Sequence, residues 1–302
     1  MNGIYEALAP LIPKQRLIPD APMRDYTTFC VGGPADLLVD AASSAEIRAV
    51  LSACRERSER LTVIGNGSNL LVRDGGIRGV VLRIADSMAT IRVEGTQMTL
   101  EAGATLSALS QAAARAGLSG AVFCCGIPGT LGGAAVMNAG AYGGEMAQIV
   151  SCVSALDGEG NAVRLCGEQL KYGYRTSALM ERGLIVTEVT VQLSPGDREE
   201  LLSQMTELNR RRREKQPLTV PSAGSTFKRP KNGYASQMID EAGLRGVRVG
   251  GAQVSEKHTG FVVNAGGATA RDVLALMAYV QDTVEARFGV RLEPEVRILG
   301  EE

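Results

Sequence analysis

Apolar positions along the chain recur at two periods, and the switches between those periods mark the elements. Alternation over 35–39 predicts a strand. From Ser43 onward Ile47, Val50, Leu51 and Cys54 fall on one helical face, and Ser43 with Glu46 has capping-box spacing, so a helix is expected through about Arg57. Runs at 61–64, 80–84, 89–93 and 97–101 read as strands, the last three as a meander. A helix follows over 105–116, with Thr105 placed to cap it and Gly117 to stop it. Residues 150–156 and 161–166 flank Asp157-Gly158-Glu159-Gly160, a hairpin signal, and 184–193 reads as another strand. Ser194-Pro195-Gly196-Asp197 is worded like a helix start, with Ser194 as cap and Pro195 in the first turn; that helix runs to Lys215 and stops at Pro217. Beyond it the pattern predicts a short helix over 236–242, strands near 247–249 and 260–264, and a strand over 291–299. A long helix is expected over 270–288, capped by Thr269, with Val273, Leu276, Met277, Val280 and Val284 facing the core. At the start, 2–16 reads as a short helix leading into a proline-punctuated entry.

Mixed helices and strands in this order predict an α+β fold of two domains, 1–194 and 195–302, divided at the helix start near residue 195. A chain of 302 residues, 45% hydrophobic and 22% charged, can bury a core of that size. A net charge of −1 excludes binding of nucleic acid or an anionic membrane through a broad basic field. No run approaches the roughly 18 apolar residues of a membrane helix, and the acidic N-terminus lacks a signal peptide's basic region, so a cytoplasmic protein is expected. The six cysteines show no ligand spacing and read as buried free thiols. With His258 as the single histidine, no metal site is expected.

The densest signal lies at 126–144, GIPGTLGGAAVMNAGAYGG, where seven glycines surround one proline. Glycine loses the most conformational freedom on folding, so such a run suits backbone that turns sharply or touches something closely. Composition leaves a phosphate- or ring-binding loop and a plain loop equally open; the small apolar residues 134–137 and Ala139 favour a buried loop. Gly65-x-Gly67 follows a strand but lacks the third glycine and the helix of a Rossmann fingerprint. The four arginines at 210–213 either complement a helix dipole or hold a phosphate.

Six segments taken together, TTFCVGGPAD at 27–36, GNGSNLLV at 65–72, IPGTLGGAAVMNAGAYG at 127–143, YGYRTS at 172–177, SAGSTFKRP at 222–230 and EPEVRILG at 293–300, resemble the MurB family, the UDP-N-acetylenolpyruvoylglucosamine reductases of bacterial peptidoglycan synthesis. The resemblance covers essentially the whole chain, and the uninterrupted run from Arg175 to the strand at 184 is similar to the shorter type II branch. It implies an FAD-binding domain of the vanillyl-alcohol oxidase (PCMH) type, in two lobes, 1–85 and 86–194, and a separate C-terminal substrate domain. It also implies FAD as cofactor, NADPH as co-substrate and a UDP-sugar as substrate in the same cleft, with a monomer expected.

For the pyrophosphate and flavin, the resemblance implies Gly65, Asn66, Gly67, Ser68, Asn69 and Leu70, then Ile127, Pro128, Gly129, Thr130, Gly132 and Gly133, and Asn138, Ala139 and Gly140. The implied reaction reduces an enolpyruvyl ether to a lactyl ether, which leaves negative charge beside a carboxylate. Arg175 matches the arginine that stabilises that charge, Glu295 the glutamate that works with it, and Ser225 the proton donor. Arg213, Lys215 and Lys228 are candidates for the substrate diphosphate, with Tyr174 as a neighbour and His258 as a further substrate-side residue. Ser236, where the family shows glycine, and the vicinal Cys124 and Cys125 depart from its pattern. A sugar or alcohol oxidase on the same flavin fold is an alternative, although the histidine for a covalent flavin is missing; a non-catalytic nucleotide-binding scaffold would not need Ser225, Arg175 and Glu295.

Overall fold

Two separate sets of buried apolar side chains organise the chain. The computed structural model of the protein describes residues 2–302. One compact unit holds the chain up to Ile18, Leu37–Asn66 and Gly79–Arg211; the other holds Pro19–Asp36, Gly67–Arg78 and Arg212–Glu302. This differs from a division at residue 195. The second unit begins inside a helix and draws in two N-terminal segments, because Phe29, Val31 and Leu71 pack in the same cluster as Val273, Leu276 and Val280.

In the first unit, one apolar cluster runs from Ile4 to Leu193, so the expected lobes 1–85 and 86–194 share a core. Its centre is a five-stranded antiparallel sheet in the order Ala162–Cys166, Val150–Leu156, Ile185–Gln192, Gln97–Glu101, Ile91–Glu94. The expected meander holds for its last two strands only. Ile77–Ile84 instead runs parallel to Leu61–Ile64 in a second sheet, where both faces of a nearly continuous apolar strand can be covered.

Helices α1 (Asn2–Leu8), α2 (Ser44–Glu56) and α3 (Leu106–Arg115) follow the sequence pattern. Ser43 Oγ accepts the Glu46 amide at 3.2 Å, and Thr105 Oγ1 accepts the Ala108 amide at 3.1 Å. The capping box at α2 is modified: the Glu46 carboxylate accepts from Ala42 N (2.7 Å) and takes the Arg16 fork at 2.5 and 2.7 Å. That pairing holds the Glu46 carboxyl below its ordinary range, against the opposing effect of burial.

Three expectations fail in this unit for physical reasons. The glycine stretch is not all loop: residues Leu131–Met137 form helix α4, capped by Thr130 and ended by Asn138 in the left-handed conformation. After the short helix α5 (Ala178–Glu181), Ser194–Pro195 pairs as a strand with Leu118–Ser119, and α6 (Arg198–Lys215) starts three residues late. Asp197 is its cap, accepting the Glu200 amide at 2.9 Å. The cysteines are not all free thiols either. The hairpin register sets Cys152 opposite Cys166, and a disulfide joins them. Cys54, Cys124 and Cys125 are buried thiols, and burial pushes the Cys54 thiol up to about 11.

The second unit packs α7 (Ala235–Glu241) and α8 (Ala270–Phe288) with a three-stranded sheet, Arg248–Val249, Ala252–Val254, Val262–Asn264. Its middle strand goes unpredicted because all three of its residues, Gln253 included, are buried and leave no apolar–polar alternation. Helix α8 matches expectation at both ends: Thr269 and Asp272 exchange a full capping box, and Gly289 closes it with φ +66°. Asp74 adds acceptors for the amides of Ala270 (2.8 Å) and Arg271 (3.0 Å), a favourable charge at a helix N-terminus. Of the expected strand over 291–299 only Arg297–Leu299 forms, parallel to Leu70–Val72; the preceding residues pair irregularly with 226–228. Among the described residues no helix is long and apolar enough to cross a membrane.

Candidate active site

Arg175 lies at the tip of a tight turn in the first unit. Gly173 and Thr176 close that turn by exchanging N–H···O bonds of 3.1 and 3.3 Å, which leaves Tyr174 and Arg175 at its two central positions. Arg175 has φ +58°, a conformation that costs a residue with a Cβ roughly 1–2 kcal/mol. The guanidinium reaches back to the end of α4, donating to Asn138 O at 3.2 Å and Gly140 O at 3.4 Å, and lies 5.1 Å from the Tyr174 ring centroid. Ser177 Oγ donates to Val136 O at 2.6 Å, so the turn is tied to α4 on its other side as well. Tyr174 is exposed, whereas burial raises the pKa of the Tyr172 phenol nearby.

The glycine loops meet in the same unit. A Cβ on Gly65 would stand 2.2 Å from Thr130 Oγ1, so glycine there is a condition of the two loops touching. Loop 129–131 is pinned to the chain before α3, with Leu131 N donating to Ala104 O (2.7 Å) and Leu106 N to Gly129 O (3.4 Å). The amides of Gly132 and Gly133 also have protein acceptors, Ala102 O and Thr130 Oγ1. Gly132 is a packing glycine, since a Cβ would come within 2.8 Å of the Ala102 methyl. Among the described residues the amides of Gly65, Asn66, Gly129 and Thr130 have no acceptor. Four open amides on two abutting loops form the kind of backbone nest that suits a pyrophosphate, so this part of the chain fits FAD. Ile127 is held by its amide on Cys124 O, Pro128 is exposed, and Ala139 and Gly140 are half-buried. Asn138 is buried, and both ends of its amide bond the chain.

Past Asn66 the loop enters the second unit, where Ser225 and Glu295 lie on adjacent backbone segments. Thr226 is the joint: its N donates to Gly260 O, its Oγ1 accepts from Val262 N, and its O accepts from Glu295 N, each at 2.8 Å. The pairing continues with Lys228 N on Glu293 O at 2.8 Å. Asn69 joins this cluster, its Nδ2 donating to Glu295 O at 3.0 Å and its own O accepting from Arg297 N at 2.9 Å. Ser225 is exposed between buried Thr226 and Gly224, which has φ +76°. Glu295 is half-buried.

The substrate-side candidates divide. Arg213 and Lys215 are exposed near the end of α6, and Lys228 is 3.2 Å from the Glu293 carboxylate. Arg210 and Arg211 are both engaged by Glu207, whose carboxyl they hold down at about 2; for these two the helix-trimming reading fits. Arg212 is the buried member of the run, a distinction that consecutive arginines conceal in a sequence. Lys257, which sequence reasoning missed, donates to Arg213 O. His258 is half-buried, its Nδ1 accepting from Gly260 N at 3.2 Å and its ring edge-on to Phe261 at 5.0 Å; burial lowers its pKa. That is the setting of a loop-packing histidine.

Two family profiles match the chain, "FAD binding domain" over residues 35–165 and "UDP-N-acetylenolpyruvoylglucosamine reductase, C-terminal domain" over 216–299. The chain is 48% identical over 301 residues to the UDP-N-acetylenolpyruvoylglucosamine reductase of Clostridioides difficile, covering 100% of this chain and 99% of the relative. With the enzyme of that name from Clostridium botulinum (strain Hall) it shares 47% identity over 292 residues, 97% of this chain and 95% of the relative. The crystal structure of the Thermus caldophilus enzyme superposes with a TM-score of 0.80 at 40% identity, covering 93% of this chain and 97% of that one. A glucose oxidase, a variant of Phl p 4, shares the fold alone, with a TM-score of 0.51 at 15% identity over 96% of this chain and 63% of that one. Identity above 40% along nearly the full length of both chains shows that this protein belongs to the UDP-N-acetylenolpyruvoylglucosamine reductase family.

Proposed function

We propose that Arg175, Ser225 and Glu295 carry out the proton and charge chemistry of this family's reaction, the FAD-dependent reduction by NADPH of UDP-N-acetylglucosamine enolpyruvate to UDP-N-acetylmuramate. The observation that carries this reading is the pairing of Glu295 N with Thr226 O, which places a carboxylate and the hydroxyl of Ser225 on neighbouring segments although they are far apart in sequence.

Residues 65–70 and 127–133 are the parts of the chain that would hold FAD, with Gly65, Asn66, Gly129 and Thr130 offering open amides. When bound, FAD supplies the hydride chemistry that links NADPH to the alkene. The chain's own residues must then manage charge and a proton. A guanidinium has five N–H donors, so Arg175 can hold two carbonyls of its own chain and still face an enolate oxygen. Its fixed placement matters because a donor already aimed at developing charge needs no reorganisation during reaction. Ser225, exposed on an anchored backbone, delivers the proton to the carbon next to the carboxylate. A hydroxyl is a weak acid, but a carbanionic centre is basic enough to take its proton. Glu295 orients the same enolate together with Arg175. Arg213, Lys215 and Lys228 supply positive charge for the diphosphate, and the enzyme works as a monomer in the cytoplasm.

The test is reconstitution. Purified protein mixed with FAD should turn yellow and turn over NADPH beyond the one equivalent that reduces its flavin only when the enolpyruvyl substrate is present, with one lactyl ether formed per NADPH turned over. A protein that cannot be loaded with FAD, or that oxidises sugars with oxygen instead, overturns the reading.

A further inference from the structure

The buried amide of Asn138 has no direct part in the chemistry proposed above, yet it lies where Arg175 is anchored. Asn138 is 1% exposed and ends α4 in the left-handed conformation, φ 46° and ψ 56°. Its Nδ2 donates to Gly173 O at 3.0 Å, and its Oδ1 accepts from Ala147 N at 2.9 Å. Gly173 O is the same carbonyl that accepts from Thr176 N across the base of the Arg175 turn. The Asn138 backbone carbonyl in turn accepts from Arg175 Nη1 at 3.2 Å. One residue therefore fixes the base of the turn with its side chain and receives the guanidinium at the tip with its main chain.

We propose that Asn138 is a positioning residue for Arg175, setting the turn that aims the guanidinium; this rests on the reading of Arg175 as the group that stabilises the enolate. The chemistry selects asparagine. The position needs a residue that tolerates the left-handed conformation, which asparagine does by local hydrogen bonding. It also needs a donor toward one carbonyl and an acceptor for one amide from a single short side chain, which only a primary amide of this length offers here. Serine offers one hydroxyl where two separate groups are bonded, and aspartate ionised at neutral pH turns an acceptor on the Gly173 carbonyl.

Two variants separate the parts. Asn138→Gly keeps the left-handed backbone and removes both side-chain bonds; Asn138→Asp at pH 8 keeps the acceptor for Ala147 and removes the donor. In FAD-free protein, both should speed hydrogen exchange of the Thr176 amide by 10-fold or more while the Val153 amide in the same unit's sheet is unchanged. In the FAD-loaded enzyme, with each variant's FAD content measured first, reoxidation by the enolpyruvyl substrate should fall by 10- to 100-fold relative to flavin reduction by NADPH in the same variant, expressed in kcat with KM little changed. In an Arg175→Ala background neither variant should slow reoxidation further. Unchanged exchange at Thr176, or an equal kinetic loss with and without Arg175, overturns the positioning role. If Asn138→Asp behaves like the parent while Asn138→Gly does not, the donor to Gly173 is not the important bond and the proposal fails in its stated form. If Arg175→Ala itself leaves reoxidation intact, the function assigned to Arg175 fails, and the exchange result stands apart from it.

Discussion

Arg175 and Ser225 are placed by opposite means. Arg175 lies on a left-handed turn fixed by side chains, Asn138 at its base and Ser177 beside it, with its own guanidinium clamped on two carbonyls. Ser225 is an exposed side chain carried mainly by backbone pairing at Thr226, with the Thr226 hydroxyl as acceptor for Val262 N. The difference fits the roles proposed for the two groups. A guanidinium at the end of a long flexible stem gives directed stabilisation only if its plane is fixed, which takes several bonds. A hydroxyl on one short bond needs little more than a well-placed Cα.

That contrast can be broken at defined points. The largest effect should come from Arg175→Ala, which is expected to slow reduction of the enolpyruvyl substrate by about 10²–10³-fold, as for loss of an oxyanion donor, with the NADPH step unaffected; single-turnover mixing reads both steps. Next is Cys166→Ser. The disulfide closes a loop of sequence separation 14 directly before the segment that leads to Arg175, and its removal should lower stability by about 3 kcal/mol in denaturant titration. Thr226→Val strikes the backbone-built half. It leaves Val262 N without its buried acceptor, costing about 1–3 kcal/mol, and should loosen Ser225 and Glu295 without touching the Arg175 turn. The smallest effect concerns His258. Burial lowers its pKa in the folded protein, so the unfolded chain takes up the proton first; stability is full above about pH 6.5 and is lost as pH falls from there toward the folded value. In His258→Gln this acid-side loss should shrink.

The two regions also differed in how much their sequence disclosed. Helix α8 could be bounded to the residue, because Thr269, Asp272 and Gly289 are capping chemistry written in side chains. Helix α4 was concealed by the same logic, since glycines and alanines carry no periodic apolar signal and the helix is held by Thr130 and by contacts to Ala102 and Ala104. At α6 Ser194 was expected as the cap, but Ser194–Pro195 pairs with Leu118–Ser119 and Asp197 caps the helix instead. The disulfide was hidden by one residue of register: counting outward from an Asp157–Gly160 turn sets Cys152 opposite Leu165, whereas Asp157 pairs with Asn161 and the register so set brings Cys152 opposite Cys166. The adjacency of the segments that carry Ser225 and Glu295 was not legible. It depends on long-range pairing between 226–228 and 293–295, which no local pattern encodes, and only family resemblance had joined them. The glycines divided likewise: Gly65 marks a loop contact and Gly132 a packing contact, a distinction available only from what a Cβ would strike.

On the assignment proposed above, the proton reaches the substrate from Ser225 and not from the charge-stabilising groups. Rapid mixing of FAD-loaded Ser225→Ala tests it most directly. Flavin reduction by NADPH should proceed at close to the parent rate, while reoxidation by the enolpyruvyl substrate falls by about 10²–10⁴-fold, the range for loss of a positioned acid. Reoxidation at the parent rate, or a loss confined to the NADPH step, would contradict the account.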